Sequence, residues 1–408
     1  MTESRTQSAI TTLVQLSLIT TLMTLMGCTT TQVITANSKP PVQLQTVISD
    51  AERVDVMIMP FAPNLETLPD AGSDDIPVSA EVRRAESRYL AFHLKDTLER
   101  TGNWGIVRVV PSAARHHPLL VSGEILASDG ERLAVSVTAT DASGRVWLTQ
   151  TYEDNASKYA YQSIKEDPFQ DLYNNIANDL VQQYQARAVN EIGNIKQIAQ
   201  LAFAADLAPD AFSGYLIENK DGTTSVAQAP ADRDTILQRV GKIRAQDDLL
   251  VDTLDDYYFK FYRDVKPSYD EWRYATYDEA VRLRQLNKQA RNRLLTGAAL
   301  IAGGIYAGSQ SNTWAADAAA AGAVVGGISA VKSGLDRRKQ TEIHEQALRE
   351  LTQSLGREIT PSVLDIEGAT VELTGSAEQQ YAQWRSMLRA LYQAERGVAQ
   401  EPLTPQVR

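Results

Sequence analysis

Residues 54–61 read VDVMIMPF, and residues 78–100 read VSAEVRRAESRYLAFHLKDTLER. The first is a β-branched, methionine-rich run stopped by proline, the pattern of a short buried strand. In the second, Val82, Ala85, Tyr89, Phe92 and Leu98 recur at helical spacing, and Thr101-Gly102 ends the run. Strand patterns follow at 104–110, 119–126, 133–140 and 146–152. Asp129-Gly130 joins the middle pair as a hairpin turn, because both central residues tolerate positive φ. Ser143-Gly144 marks the next turn. Strand, helix, then a meander of strands predicts an α+β fold: a small α+β sandwich over 51–165, with the helix on one sheet face.

Towards the C-terminus the period becomes helical over 166–293. Phe169, Leu172, Ile176, Leu180 and Tyr184 form one stripe, and Ala208-Pro209 and Asp221-Gly222 break the pattern. A second long helical stretch starts near Asp232, and Pro267 is expected to end or kink it. Nine aromatic residues crowd 257–277. Such side chains can stack on sugar rings or anchor an interface, but the spacing Leu254, Tyr258, Tyr262 is that of a core-facing stripe.

Residues 294–333 are different in kind, LLTGAALIAGGIYAGS and then AAAAGAVVGGISAV around a polar break. Ala318, Gly322, Gly326, Ala330 and Gly334 recur every four residues, and Gly304 and Gly308 make a second pair. One helix face thus becomes a groove of small side chains that lets two backbones approach closely. A Gly/Ala-rich helical hairpin is expected here, resembling the glycine zippers of small outer-membrane lipoproteins. Its arms are about 24 and 21 Å long, against a hydrocarbon core of about 30 Å. Two placements stay open: a hairpin dipping into lipid, or a tightly packed soluble hairpin or contact between copies of the chain. A charged helix of coiled-coil character, a β-hairpin around Glu367-Gly368 and a last helix follow over 334–396, then a tail at 397–408.

Upstream of the α+β domain, residues 28–50 are rich in Thr, Gln, Ser and Pro and read as a flexible tether. The chain has one cysteine, Cys28. It follows an apolar run from about Ile10 to Met26, too short and threonine-rich for a spanning helix but suited to a cleavable signal peptide over 1–27. Leu25-Met26-Gly27-Cys28 resembles a bacterial lipobox, with cleavage between Gly27 and Cys28. The resemblance implies an acylated, palmitate-bearing Cys28, and Thr29 after it implies the outer membrane, facing the periplasm. Met26 and the single basic residue Arg5 depart from the usual pattern.

The order of elements after that tether resembles the α+β domains of curli-assembly and peptidoglycan-synthase-activator lipoproteins. The likeness rests on element order alone and implies protein docking without catalysis. A formal charge of −11, with no basic stripe, disfavours nucleic acid as a partner. No HExxH, GxSxG, GxxxxGK[ST] or GxGxxG occurs, and a single thiol builds neither an internal disulfide nor a multi-cysteine metal site. His116-His117 reads as a solvated loop pair, and Asp247-Asp248 and Asp255-Asp256 point apart on a helix. The expectation is a non-enzymatic, lipid-anchored envelope scaffold or assembly factor, without cofactor or metal. Its partners would be the membrane through Cys28, envelope proteins and a second copy of the chain. The alternatives are a cell-wall glycan or peptide hydrolase and a glycine-zipper component that inserts or oligomerises.

Overall fold

Ser79 and Gly102 bracket the helix that organises the protein. Ser79 Oγ accepts the Val82 N–H at 3.3 Å, and Gly102 closes the far end at φ +68°, its N–H bonded to the Glu99 carbonyl at 3.0 Å. A left-handed residue there suits glycine, which has no Cβ to clash. The computed structural model describes residues 33–35, 39–44, 48–49, 52–68, 78–162, 166–231, 234–306, 346–347, 349–350, 362–366 and 369–395. Gly27, Cys28, Gly308, Gly322, Gly326, Ala330 and the tail lie outside them.

The protein is α+β. Strand β1 (Val56–Ile58) leads through α1 (Ala80–Thr101) to the parallel strand β2 (Val107–Val109). Strands β3 (Leu119–Ser128), β4 (Arg132–Asp141) and β5 (Val146–Asn155) form an antiparallel meander, and β3 lies parallel to β1 on its other side. The resulting order is β5-β4-β3-β1-β2. Helix α2 (Gln170–Gln185) packs on β5 and against α1. The expected strands and turns are therefore present, each strand of the meander a little longer than its apolar pattern.

Beyond them come α3 (Val189–Leu207), the single turn α4 (Pro209–Phe212), a small hairpin of β6 (Leu216–Glu218) and β7 (Thr224–Val226), and α5 (Thr235–Tyr306). The hairpin sits in a region whose sequence pattern predicts helix. Its strands are only three residues long, too short to show a period of two. Strands β8 (Ser362–Ile366) and β9 (Ala369–Leu373) pair antiparallel, and α6 (Ala377–Glu395) follows.

Helix α5 overturns two expectations. It runs for 72 residues straight through Pro267. Proline removes one N–H from the ladder, but Pro267 is exposed, so water can reach the backbone there. On either side Phe261, Val265, Tyr269 and Trp272 are fully or almost fully buried, and this packing outweighs the local preference to stop. The helix also absorbs residues 294–306, including Gly304, expected to be the first arm of a separate hairpin.

Helix α5 covers the open edge of the sheet at β2. Asp255 accepts the Val109 N–H at 2.8 Å, while Arg108 pairs with Asp252 at 2.6 Å and Asp248 at 3.3 Å. An outward-facing backbone N–H is thus paired rather than left as a template for another strand. Asp247 turns the other way, to Trp384, so the acidic neighbours do point apart.

The β3–β4 hairpin tip docks on the same helix. Asp129 Oδ1 accepts the N–H groups of Glu131 and Arg132, and Arg284 reaches down to Asp129 and Glu131. A Cβ on Gly130 would lie 2.1 Å from the Arg273 carbonyl oxygen and 2.4 Å from the Tyr277 nitrogen. Backbone cannot give way as a flexible side chain does. Gly130→Ala is expected to cost about 1–3 kcal/mol through overpacking, read as a lower thermal midpoint. Gly193→Ala, within α3 and with open space around its Cβ site, is the control and should be neutral or gain about 0.4–1 kcal/mol.

Candidate functional site

Helix α1 is buried nearly all round, Arg83, Glu86, His93 and Lys95 included. Its apolar stripe faces the sheet, as its spacing predicts. Its polar face lies beneath α5, and the polar groups there build a network between α1, α5 and the start of α2.

Asp167 and Arg273 are at the centre, both side chains fully buried. Arg273 donates two parallel bonds to Asp167, of 3.1 and 2.8 Å, and also reaches Asp270. Asp167 accepts further bonds from the Tyr89 hydroxyl at 3.0 Å and the Phe169 N–H at 3.0 Å. The guanidinium lies over the Tyr269 ring at 4.4 Å. Burial alone would raise the Asp167 carboxyl; Arg273, His93 and the hydrogen bonds outweigh it and hold it below its ordinary value. Arg273 shows the same contest: burial opposes its charge and Asp167 restores it, well above the ordinary value. Both groups are ionised at neutral pH. This is a fork-shaped, charge-assisted clamp.

His93 continues the network. Its Nδ1 meets the Tyr262 hydroxyl at 2.8 Å and its Nε2 meets Gln170 Oε1 at 2.9 Å. Gln170 Nε2 donates to Thr97 and Asn174, which fixes its Oε1 as the acceptor. His93 therefore donates from Nε2 and accepts at Nδ1, and burial keeps it neutral. Glu86 accepts from Tyr269 at 2.8 Å and from Ser128.

A second polar cluster closes the corner where α3, α5 and α6 meet. His116 and His117 are not solvated, as their loop position suggests, but 7% and 5% exposed. His116 lies edge-on to Phe203, its Nε2 3.4 Å from the Tyr381 hydroxyl. Phe203 also carries Arg385 at 4.7 Å and Arg244 at 5.5 Å. Arg385 pairs with Asp206 and lies 3.6 Å from Asp247, whose carboxylate accepts from Trp384 at 3.1 Å. Burial, and then the neighbouring cations, push His116 well below its ordinary value and His117 down to about 4. Burial raises Asp247 to about 6.

Two clefts open elsewhere. One, of about 440 Å³, is lined by Arg239, Lys242, Gln246 and Leu391; the other, of about 260 Å³, by Arg115, His117, Asp141 and Ser143. Neither lining includes Asp167, Arg273 or His93. Among the described residues no group of three or more His, Cys, Asp or Glu side chains is placed to hold a metal ion. No helix of the described residues is long and apolar enough to cross a membrane.

The site residues read from the sequence take no part in these networks. Cys28 and four of the five small-residue positions lie outside the described residues, and Gly304 is helical backbone within α5. Sequence reasoning missed Asp167, Tyr89 and Arg273 as a group. Arg273 stands within the aromatic run, between Trp272 and Tyr274, and that was the one signal that could have marked it.

No family model matches the chain, and no curated protein does. Among solved structures it is similar to the crystal structure of protein XCC0632 from Xanthomonas campestris, family model DUF330. The identity is 9% and the TM-score 0.24, covering 39% of this chain and 97% of that one. A likeness of that size carries no argument about fold or function.

Proposed function

We propose that this protein is a lipid-anchored, non-enzymatic scaffold of the bacterial cell envelope. It is acylated at Cys28, sits in the outer membrane facing the periplasm, and binds envelope proteins through its α+β unit and long helix. The observation that carries the reading is the buried clamp between Asp167 and Arg273. The strongest polar constellation in the described structure holds its protons tightly and fastens a 72-residue helix to the sheet unit. Charges arranged in that way rigidify an arm; a general acid or base needs a group that titrates near the working pH and can reach a substrate. Past Arg284 the helix continues to Tyr306 and carries the first small residues of the glycine-zipper segment into the surroundings of the domain. That segment supplies a surface for close helix packing with a partner or a second copy.

The test starts at Cys28. Radiolabelled fatty acid should enter the parent and not Cys28→Ser, and the variant should leave the membrane fraction, because a single acylated cysteine is the anchor. Crosslinking in intact membranes should then capture envelope proteins with the parent only. Equal fractionation without label would remove the anchor, and lysis of purified cell wall by the protein would replace the scaffold with a hydrolase.

A further inference from the structure

Residues 40–44 belong to the stretch expected to be a flexible tether, yet two asparagines hold them in place. Val42 donates its N–H to Asn178 Oδ1 at 2.7 Å, and Asn178 Nδ2 donates to the Pro40 carbonyl at 3.2 Å. One step on, Asn103 Nδ2 donates to the Val42 carbonyl at 2.7 Å and Asn103 Oδ1 accepts the Leu44 N–H at 2.9 Å. The groups used belong to residues 40, 42 and 44, which share one edge of an extended chain. Two side-chain amides, each supplying one donor and one acceptor, stand where a neighbouring strand would.

Asn103 follows directly after the α1 cap and is 3% exposed, so its amide is fixed; Asn178 projects from α2. The segment itself is mostly exposed, Val42 at 45%, with Leu44 resting against the core. Recognition is therefore of backbone, with one apolar contact. Pro40 and Pro41 fall where no N–H is required, and they favour the extended conformation in advance.

We infer that Asn103 and Asn178 form a docking site for one extended, proline-bearing peptide strand, occupied in cis by residues 40–44, which thus act as a releasable strap. A strand held edge-on and open to water on its other side can leave without disturbing the core. Its occupancy rests on the high effective concentration that the covalent link confers. On the proposed anchoring at Cys28, the strap sets reach. Residues 29–39 extend to at most about 40 Å, and residues 29–51 to about 80 Å once the strap is free. Only that consequence rests on the lipid anchor.

Amide hydrogen exchange and peptide binding on the full-length protein in detergent test the strap. In Asn103→Ala/Asn178→Ala, exchange at Val42 and Leu44 should accelerate at least tenfold while β4 exchanges as in the parent. Val42→Pro removes the N–H that Asn178 reads and leaves both asparagines in place, so it should free Leu44 in the same way. A fluorescent peptide spanning residues 38–46 should bind Val42→Pro at least tenfold more tightly than the parent. Adding the two alanine substitutions to Val42→Pro should abolish that binding. Unchanged exchange at Leu44 in Val42→Pro would overturn the strap, whatever becomes of the double variant. A peptide that binds none of the chains, or all of them equally, would overturn the docking site. Protected amides in a protein that takes up no fatty acid would remove the anchor and leave the strap.

Discussion

Asp167→Ala is expected to lower the stability of the α+β unit by about 3–5 kcal/mol, since it strands Arg273 as an unpaired charge in the interior. Calorimetry of the full-length protein should show this as a fall in the thermal midpoint of roughly 10 °C or more. The loss comes from the orphaned guanidinium rather than from the pair's own worth, because forming the pair means stripping water from both ions. Asp167→Leu/Arg273→Met should therefore recover a substantial part of the midpoint lost by Asp167→Ala. Recovery stays incomplete, as the Tyr89 hydroxyl also loses its acceptor. The long helix reports the same event: trypsin should cut the exposed basic residues of α5 faster in Asp167→Ala than in the parent. A single variant as stable as the parent would show that the helix does not depend on this clamp, and the scaffold reading would lose its support.

Acid is expected to weaken the corner of α3, α5 and α6 through His116 and His117. Burial depresses both, His117 to about 4. A histidine whose folded value is depressed binds its proton first in the unfolded chain. Its contribution is thus full above pH 6.5 and is lost as pH falls from about 6.5 towards its folded value. For His117 alone that amounts to about 3 kcal/mol. The groups facing the pair are Arg244 on α5 and Tyr381 and Arg385 on α6, with Asp206 of α3 and Asp247 of α5 paired to Arg385. Asp247 works with the opposite sign. Its raised value, about 6, makes the folded state take up a proton first, so it gains stability as pH falls through 6. The comparison that isolates the histidines is the parent against His116→Phe/His117→Asn, unfolded in urea at pH 7 and pH 4. The parent should lose about 3 kcal/mol more than the variant over that interval. Parallel stability curves would mean that the two histidines carry no strain from burial.

Much of the layout was legible from local pattern. The strands of the meander, the turns at Asp129-Gly130 and Ser143-Gly144, and the span of α1 between Ser79 and Gly102 follow from side-chain period, capping and tolerance of positive φ, all of which act within a few residues. The site was not legible. Asp167 and Arg273 are 106 positions apart, and each looks like an ordinary surface charge until α5 lies across α1. Pro267 carries a local signal to stop that is correct in isolation, and burial of Phe261, Val265, Tyr269 and Trp272 overrides it.

The linear chain thus specified which residues form strands, turns and α1, because those preferences are settled by near neighbours. The fold alone settled which polar residues lie inside. Covering the polar face of α1 with α5 converts Glu86, Tyr89 and His93 from a solvated stripe into a buried network. The same docking carries His116 and His117 out of water and places Asn103 beside Asn178 as a surrogate strand. Burial depends on what arrives from far along the chain, and a local reading of spacing and composition does not contain it.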